Sequence, residues 1–344
     1  MTACKTAIVL AAAVAAVAAT AASADPKYVE FDAPGAMDTW VQGFGSKGDT
    51  TGRYMTKDGF GDSFIRTKKG VYTYLTPGGT DPHFINARRQ TSGLYNDRNG
   101  AHGFIGAADG TWQSFDVPGN HGFNPFTAPM AITDTGAIVG YYGNGDVVSK
   151  GFIRRPLGKV VTFAIDDLFN RGTFATAMTE DGFVYGHYLD KNLVSHGFIR
   201  DTHGAFSHVD VPGAGGVTSQ GSWIAAANAS HTIAGTYVDP DNQQHAYLRL
   251  SGGSAITIDL PQGSWDISIR GLNSANAVVG YYQDSQMGDP HTFLRTPDGQ
   301  VVSVDEPLAF GHGTEPAGIN DKGEIGGFYV DGWGNSHGFL RKDR

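Results

Sequence analysis

One triplet recurs through the whole chain and limits what it can fold into. Gly-x-Tyr occurs as Gly52/Tyr54, Gly93/Tyr95, Gly140/Tyr142, Gly186/Tyr188, Gly235/Tyr237, Gly280/Tyr282 and Gly327/Tyr329, at intervals of 41 to 49 residues. Nine residues before each glycine begins a Gly-Ile-Asn-like segment, at Gly43, Phe84, Ala131, Ala177, Ala226, Gly271 and Gly318. Ten to thirteen residues after it comes a His-Gly-Phe-Ile-Arg-like segment, whose aromatic is Phe64, Phe104, Phe152, Phe198, Tyr247, Phe293 or Phe339. A fourth segment, Phe-Asp-x-Pro-Gly-like, surrounds Asp32, Leu75, Asp116, Ala164, Asp210, Asp259 and Asp305.

We call these segments a (Phe-Asp), b (Gly-Ile-Asn), c (Gly-x-Tyr) and d (His-Gly-Phe). Each is short, rich in β-branched or aromatic residues, and bounded by Gly, Asn, Asp and Pro turns. Four strands per repeat of about 45 residues, in seven copies, predict an all-β fold: a seven-bladed β-propeller of four-stranded blades. A β-sandwich would not explain the matched copies. Six of the seven b segments begin with a small residue, which suits the crowded axis, so b is expected innermost. A blade then reads b-c-d and takes a from the next repeat, and the N-terminal strand near Tyr28 would complete the last blade and close the ring. This phase puts the varied a–b connections and the c–d hairpins on one face, the expected working face.

Composition fits this fold and narrows the partners. The 49 glycines are turn residues, and 17% charged residues is too few for long disordered tails. A net charge of −9 repels phosphate backbones, so nucleic acid is not an expected partner. Residues 1–24 read as a secretory signal, with Lys5, an apolar run from Ala7 to Ala19 and Ala22-Ser23-Ala24 as cleavage site. A secreted or periplasmic, monomeric domain over 25–344 is therefore expected, not embedded in a membrane. The single cysteine, Cys4, would leave with the signal and take thiol chemistry with it.

The repeated His-Gly-Phe-[Ile/Leu]-Arg, preceded by Gly-Ile-Asn and Gly-Tyr-Tyr, resembles the bacterial extracellular repeat family named for its His-Ala-Phe motif. His245-Ala246-Tyr247 comes closest, and the likeness covers residues 28–344. The resemblance implies export and a repetitive β fold, and brings no catalytic residues with it.

Two kinds of position bear on chemistry. The repeated ones, His102, His196, His245, His291 and His337 with Asp97, Asp190, Asp239, Asp284 and Asp331, are read as hydrogen-bonded pairs that fix each c–d hairpin, because five equivalent pairs cannot serve one active site. The recurring d-strand arginines are read as structural too. Asp239 and Asp241 offer oxygen ligands for calcium in one hairpin, without the spacing of a calcium loop; no cofactor is otherwise expected.

The varied positions are more informative. Three residues before each b triplet stand Trp40, Asp81, Ala128, Phe174, Trp223, Ser268 and Glu315; one residue before stand Gln42, His83, Met130, Thr176, Ala225, Arg270 and Ala317. Nearby loops add His121, Phe123, Phe126, Arg171, Trp265 and His312. Trp40, Phe174, Trp223, Trp265, Arg270 and His312 are the expected ligand contacts for a glycan or an extracellular protein at the axial channel. The alternative is a secreted polysaccharide lyase or glycoside hydrolase at the same mouth. A lyase would use His83, His121 or a tyrosine as base with Arg171 or Arg270 on a uronate, and a hydrolase would pair Glu315 with Asp81 or Asp266.

Overall fold

The computed structural model describes residues 26–59, 61–122, 124–144, 148–165 and 171–342. The expected signal segment, residues 1–24, lies outside them. Within the described residues the chain is all-β; the one helical element is a three-residue 3-10 turn, Pro307–Ala309. Among the described residues no helix is long and apolar enough to cross a membrane.

The strands pair in quartets that follow chain order. In the first, Ala36–Phe44, Thr50–Thr56, Gly61–Arg66 and Tyr72–Tyr74 lie side by side, each antiparallel to the next. This is the order b, c, d and then a of the following repeat, and the later quartets repeat it. In the last, Thr314–Ile319, Ile325–Val330 and Ser336–Lys342 take Lys27–Phe31 as their fourth strand, with Val29 opposite Leu340. Single parallel bridges, Ala101 to Phe126 and Ser195 to Gly221, join neighbouring quartets twice.

Each motif residue has a physical task. The d-strand aromatic is the core of its sheet: Phe64, Phe104, Phe152, Phe198, Tyr247 and Phe339 are wholly buried and Phe293 nearly so. Burying such a side chain contributes about 1.5–3 kcal/mol. The Gly-x-Tyr glycine lies against the backbone carbonyl of its own b strand, where any Cβ would collide. The Gly-Ile-Asn asparagine holds two turns at once. Asn273 Oδ1 accepts N–H bonds from Ala275 and Ala277 in its own b–c turn, while its Nδ2 donates to Asn320 O in the next, 3.1 Å away. Asn228 and Asn86 repeat this, donating to Asn273 O and Thr133 O.

The recurring histidine is held more elaborately than as a hairpin pair. His102 sits between Asp97 (Nε2 3.0 Å) and Asp116 (Nδ1 2.8 Å), and His337 between Asp331 (3.3 Å) and Asp32 (2.9 Å). His196 and His291 lie 2.9 and 3.0 Å from Asp210 and Asp305, with Asp190 and Asp284 farther off at 3.8 Å. The Gly-x-Tyr tyrosine lies against the same ring, 4.8–5.9 Å between centroids from Tyr237–His245 to Tyr95–His102. So the motif residues of a, c and d converge on one clasp.

The d-strand arginines tie neighbouring quartets. Arg154 lies 4.9 Å from the Phe115 ring and Arg200 5.0 Å from Phe163, each on the preceding quartet's a strand. Arg66 of the first quartet makes the same contact with Phe31 of the last, at 3.8 Å. Such cation–π contacts contribute about 0.5–2 kcal/mol each.

Candidate functional site

The b strands of all the quartets line one cavity of about 510 Å³. Every b strand breaks register at one shared place, the first and sixth breaking it a second time nearer their start, and the residue left over at the shared break is Gln42, His83, Met130, Thr176, Ala225, Arg270 or Ala317. A β-bulge re-aims the extra residue, and all seven line the cavity. The varied column of the sequence is thus the bulge column.

The second varied column gains partners across the b–c ladder. Trp40 stands opposite Arg53, Asp81 opposite Leu94, Ala128 opposite Tyr141, Phe174 opposite His187, Trp223 opposite Thr236, Ser268 opposite Tyr281 and Glu315 opposite Phe328. The partners are the middle residues of the Gly-x-Tyr triplets. Sequence reasoning passed over them, although x was the one variable position inside a strict triplet.

Together these columns divide the opening into two unlike halves. One is charged. A pocket of about 270 Å³ is lined by Trp40, Gln42, Arg53, His83, Arg270 and Glu315, among others. Asp81 Oδ1 lies 3.0 Å from Arg53 Nε, and its Oδ2 lies 3.3 Å from His83 Nε2. Neither approach is a well-aligned hydrogen bond. Burial pushes the Asp81 carboxyl up, but His83, Gln42 and Arg53 outweigh it and hold the group below its ordinary value. Arg270 Nη2 lies 3.8 Å from Glu315 Oε2, with its guanidinium 5.2 Å from the Tyr281 ring. Burial raises the Glu315 pKa, with Arg270 opposing and Asp266 reinforcing the rise.

The other half is aromatic. Phe126, Tyr141, Phe174, His187 and Trp223 follow one another at centroid distances of 5.9, 5.1, 5.0 and 6.3 Å, edge-on except for the stacked Phe174–His187 pair. His187 Nδ1 is buried and makes no hydrogen bond. Burial alone drives its pKa down to about 4, so the ring is neutral at physiological pH.

The structure brings His83, Arg270, Glu315, Trp40 and Trp223 to this opening, with Phe174 behind His187. His83 shares the mouth with Arg270 and Glu315, but its charge contact is with Asp81. Trp265 lies elsewhere, in a lateral cleft. His121, Arg171 and His312 are exposed and line neither the axial cavity nor the charged pocket. Phe123 lies outside the described residues. Asp239 spends its oxygens inside its hairpin: Oδ1 accepts from the N–H of Asp241 and Gln243, and Oδ2 lies 2.9 Å from His245. Among the described residues no three His, Cys, Asp or Glu side chains group as metal ligands.

No protein-family model and no curated protein matches the chain. Solved structures do. A catalytically inactive virginiamycin B lyase from Staphylococcus aureus, with quinupristin, is similar over 92% of this chain and 99% of its own, at TM-score 0.57 and 14% identity. The β-propeller domain of the Trilobed protease from Pyrococcus furiosus, described as having an open velcro topology, matches at TM-score 0.57 and 8% identity over 90% and 95%. Puromycin hydrolase matches over 89% of this chain and 55% of its own, at TM-score 0.57 and 11% identity. At such identities the likeness establishes the β-propeller fold and nothing of activity.

Proposed function

We propose that this chain is an exported, closed seven-bladed propeller that binds a glycan at the mouth of its axial channel. Three contacts support closure: the N-terminal Lys27–Phe31 completes the last quartet by pairing with Ser336–Lys342, and two contacts join that quartet to the first, Arg66 over Phe31 and Asp38 Oδ1 accepting the Ser336 N–H at 2.9 Å. Export rests on the signal-like N-terminal segment.

The observation that carries the binding reading is the two-sided opening. His187 and Trp223 line one side, with the Phe174 and Tyr141 rings packed behind them, and Gln42, Arg53, Arg270 and Glu315 offer hydroxyl-binding groups on the other side of the same hole. A ligand with flat apolar faces and a polar edge fits both, and a sugar ring has that character. A concave opening of this size suits a small ligand or a chain end better than a flat protein surface.

One observation favours an enzyme as the second reading. His83 places an imidazole at the mouth with Nε2 3.3 Å from the Asp81 carboxylate, and histidine is the commonest general base. Incubation with acidic and neutral polysaccharides, following both retardation of the protein and polymer length, separates the readings. Retardation without shortening, weakened by Trp223→Ala, is expected. Shortening that His83→Ala abolishes would replace binding by catalysis, and indifference to every polymer would overturn both.

A further inference from the structure

A second cavity, of about 470 Å³, lies beside the axial channel and is lined by Trp223, Thr236, Asn242, Gln243, Trp265 and Asp266, among others. We infer that it is a neutral-glycan subsite, so that one extended oligosaccharide runs from the channel mouth into this lateral cleft. The inference rests on the axial binding reading and adds the ligand's length and charge to it.

Four observations carry it. Trp223 lines both cavities, so the two spaces share one indole wall. Trp265 is 51% exposed at the cleft edge, which leaves indole surface open to a ligand. The far wall is held rigidly: Gln244 Nε2 donates to Ile267 O (2.9 Å) and Gln244 Oε1 accepts the Ile267 N–H (2.8 Å), joining a d strand to the b strand that begins at Trp265. Other repeats carry Gly61, Ala101, Ser149, Ser195, Pro290 or Ser336 in the position of Gln244, so this clamp is particular to one repeat. Finally, Asp266 is held at φ 44°, a left-handed conformation costly for a residue other than glycine.

The lining selects among ligands. It has two indoles, three side-chain amides (that of Gln244 already committed to Ile267), hydroxyls and one carboxylate, and no lysine or arginine. A uronate would meet Asp266 with no cation to offset it. A neutral pyranose can stack on an indole while its hydroxyls meet Asn242, Gln243 and Asp266.

The test uses the full chain labelled with ¹⁵N-tryptophan, whose five indole N–H signals are assigned by single Trp→Phe variants. Probes are disaccharides and hexasaccharides of β-1,4-glucose, β-1,4-xylose, β-1,4-mannose and α-1,4-glucose, with hexagalacturonate and choline as charged comparisons. We expect one neutral hexasaccharide to move the Trp223 and Trp265 signals together. Trp265→Ala, at an exposed position that folding does not need, then weakens that hexasaccharide about tenfold and leaves its disaccharide unchanged. A hexasaccharide that moves Trp223 without Trp265 overturns the lateral subsite and keeps the axial reading. Movement of Trp265 alone overturns the axial reading and the spanning ligand with it. Preference for hexagalacturonate or choline overturns the neutral class, and no response to any probe overturns both readings.

Discussion

Gly235→Ala tests whether the Gly-x-Tyr glycine is a steric requirement of the b–c ladder. The glycine lies opposite Ile224, next to the bulge that turns Ala225 into the channel. A methyl group there would stand 2.9 Å from the Trp223 carbonyl carbon and 3.0 Å from Tyr247 Cε1, and closer still to the Trp223 carbonyl oxygen. Carbon–carbon contacts are comfortable at roughly 3.5–4.0 Å, so the strands must part by roughly 1 Å or the bulge must flatten. The obstacle is backbone, and Tyr247 is wholly buried, so neither neighbour can rotate away. Parting also strains the Tyr247 hydroxyl bond to Trp223 O, 3.2 Å in the parent. Overpacking costs about 1–3 kcal/mol; with backbone in the way we expect about 3 kcal/mol, a fall in Tm of about 4–5 °C for a domain of this length. Thermal unfolding followed by circular dichroism measures it. Gly216→Ala is the control: nothing lies within 4 Å of its added methyl, and Tm should move by less than about 1 °C. A Gly235→Ala protein that melts with the control would refute the reasoning. Since the carbonyl that must move belongs to Trp223, glycan binding should weaken in parallel.

Further outcomes follow from the clasps, the mouth and the last quartet. Burial depresses the His337 pKa, but Asp32 and Asp331 raise it more, so the folded value lies above the ordinary one. The stability it adds is then fully present below about pH 6.5 and lost as pH rises through the elevated value. His337→Gln should therefore lower Tm more at about pH 5.5 than at about pH 8.5, and an equal loss at both would refute the charged clasp. Arg270 opposes the burial that raises Glu315, so Arg270→Met should push the Glu315 carboxyl higher; a ¹³C titration that shows it unchanged or lower would refute the pairing. Lys27 stands opposite Lys342, and cross-strand Cα spacings suit a disulfide. Lys27→Cys with Lys342→Cys, in protein from which Cys4 has been removed, should form an intramolecular bond on oxidation that raises Tm until reduced. Absence of the cross-link on a non-reducing gel would refute the pairing of the two ends.

Much of the architecture was legible because every repeat states it again. Strand types, strand order within a quartet and the buried d-strand aromatic all follow from motifs that a single copy would leave ambiguous. The site was legible only as two columns of variety. His187 escaped notice because its importance depends on standing opposite Phe174 across the ladder, and the repeat frame treated x as filler. Trp265 was grouped with the axial residues, yet it stands three residues before Ser268, roughly 10 Å along an extended strand, and so faces the lateral cleft. Asp32, Asp116, Asp210 and Asp305 entered only as markers of the a segments; they are also the nearer carboxylates of the histidine clasps.

By itself the sequence determined the repeating unit, because alternating apolar strands and Gly-rich turns are local properties of consecutive residues. It also determined which positions escape the repeat, and hence where one asymmetric site could exist. Only the tertiary structure decided what those positions do together. A bulge turns one residue of each b strand inward, and packing brings side chains from different repeats to one opening. Arg53 with Asp81, Arg270 with Glu315 and His187 with Trp223 meet through space, across quartet boundaries that no local pattern encodes. The division of the mouth into a charged and an aromatic half is a property of that packing.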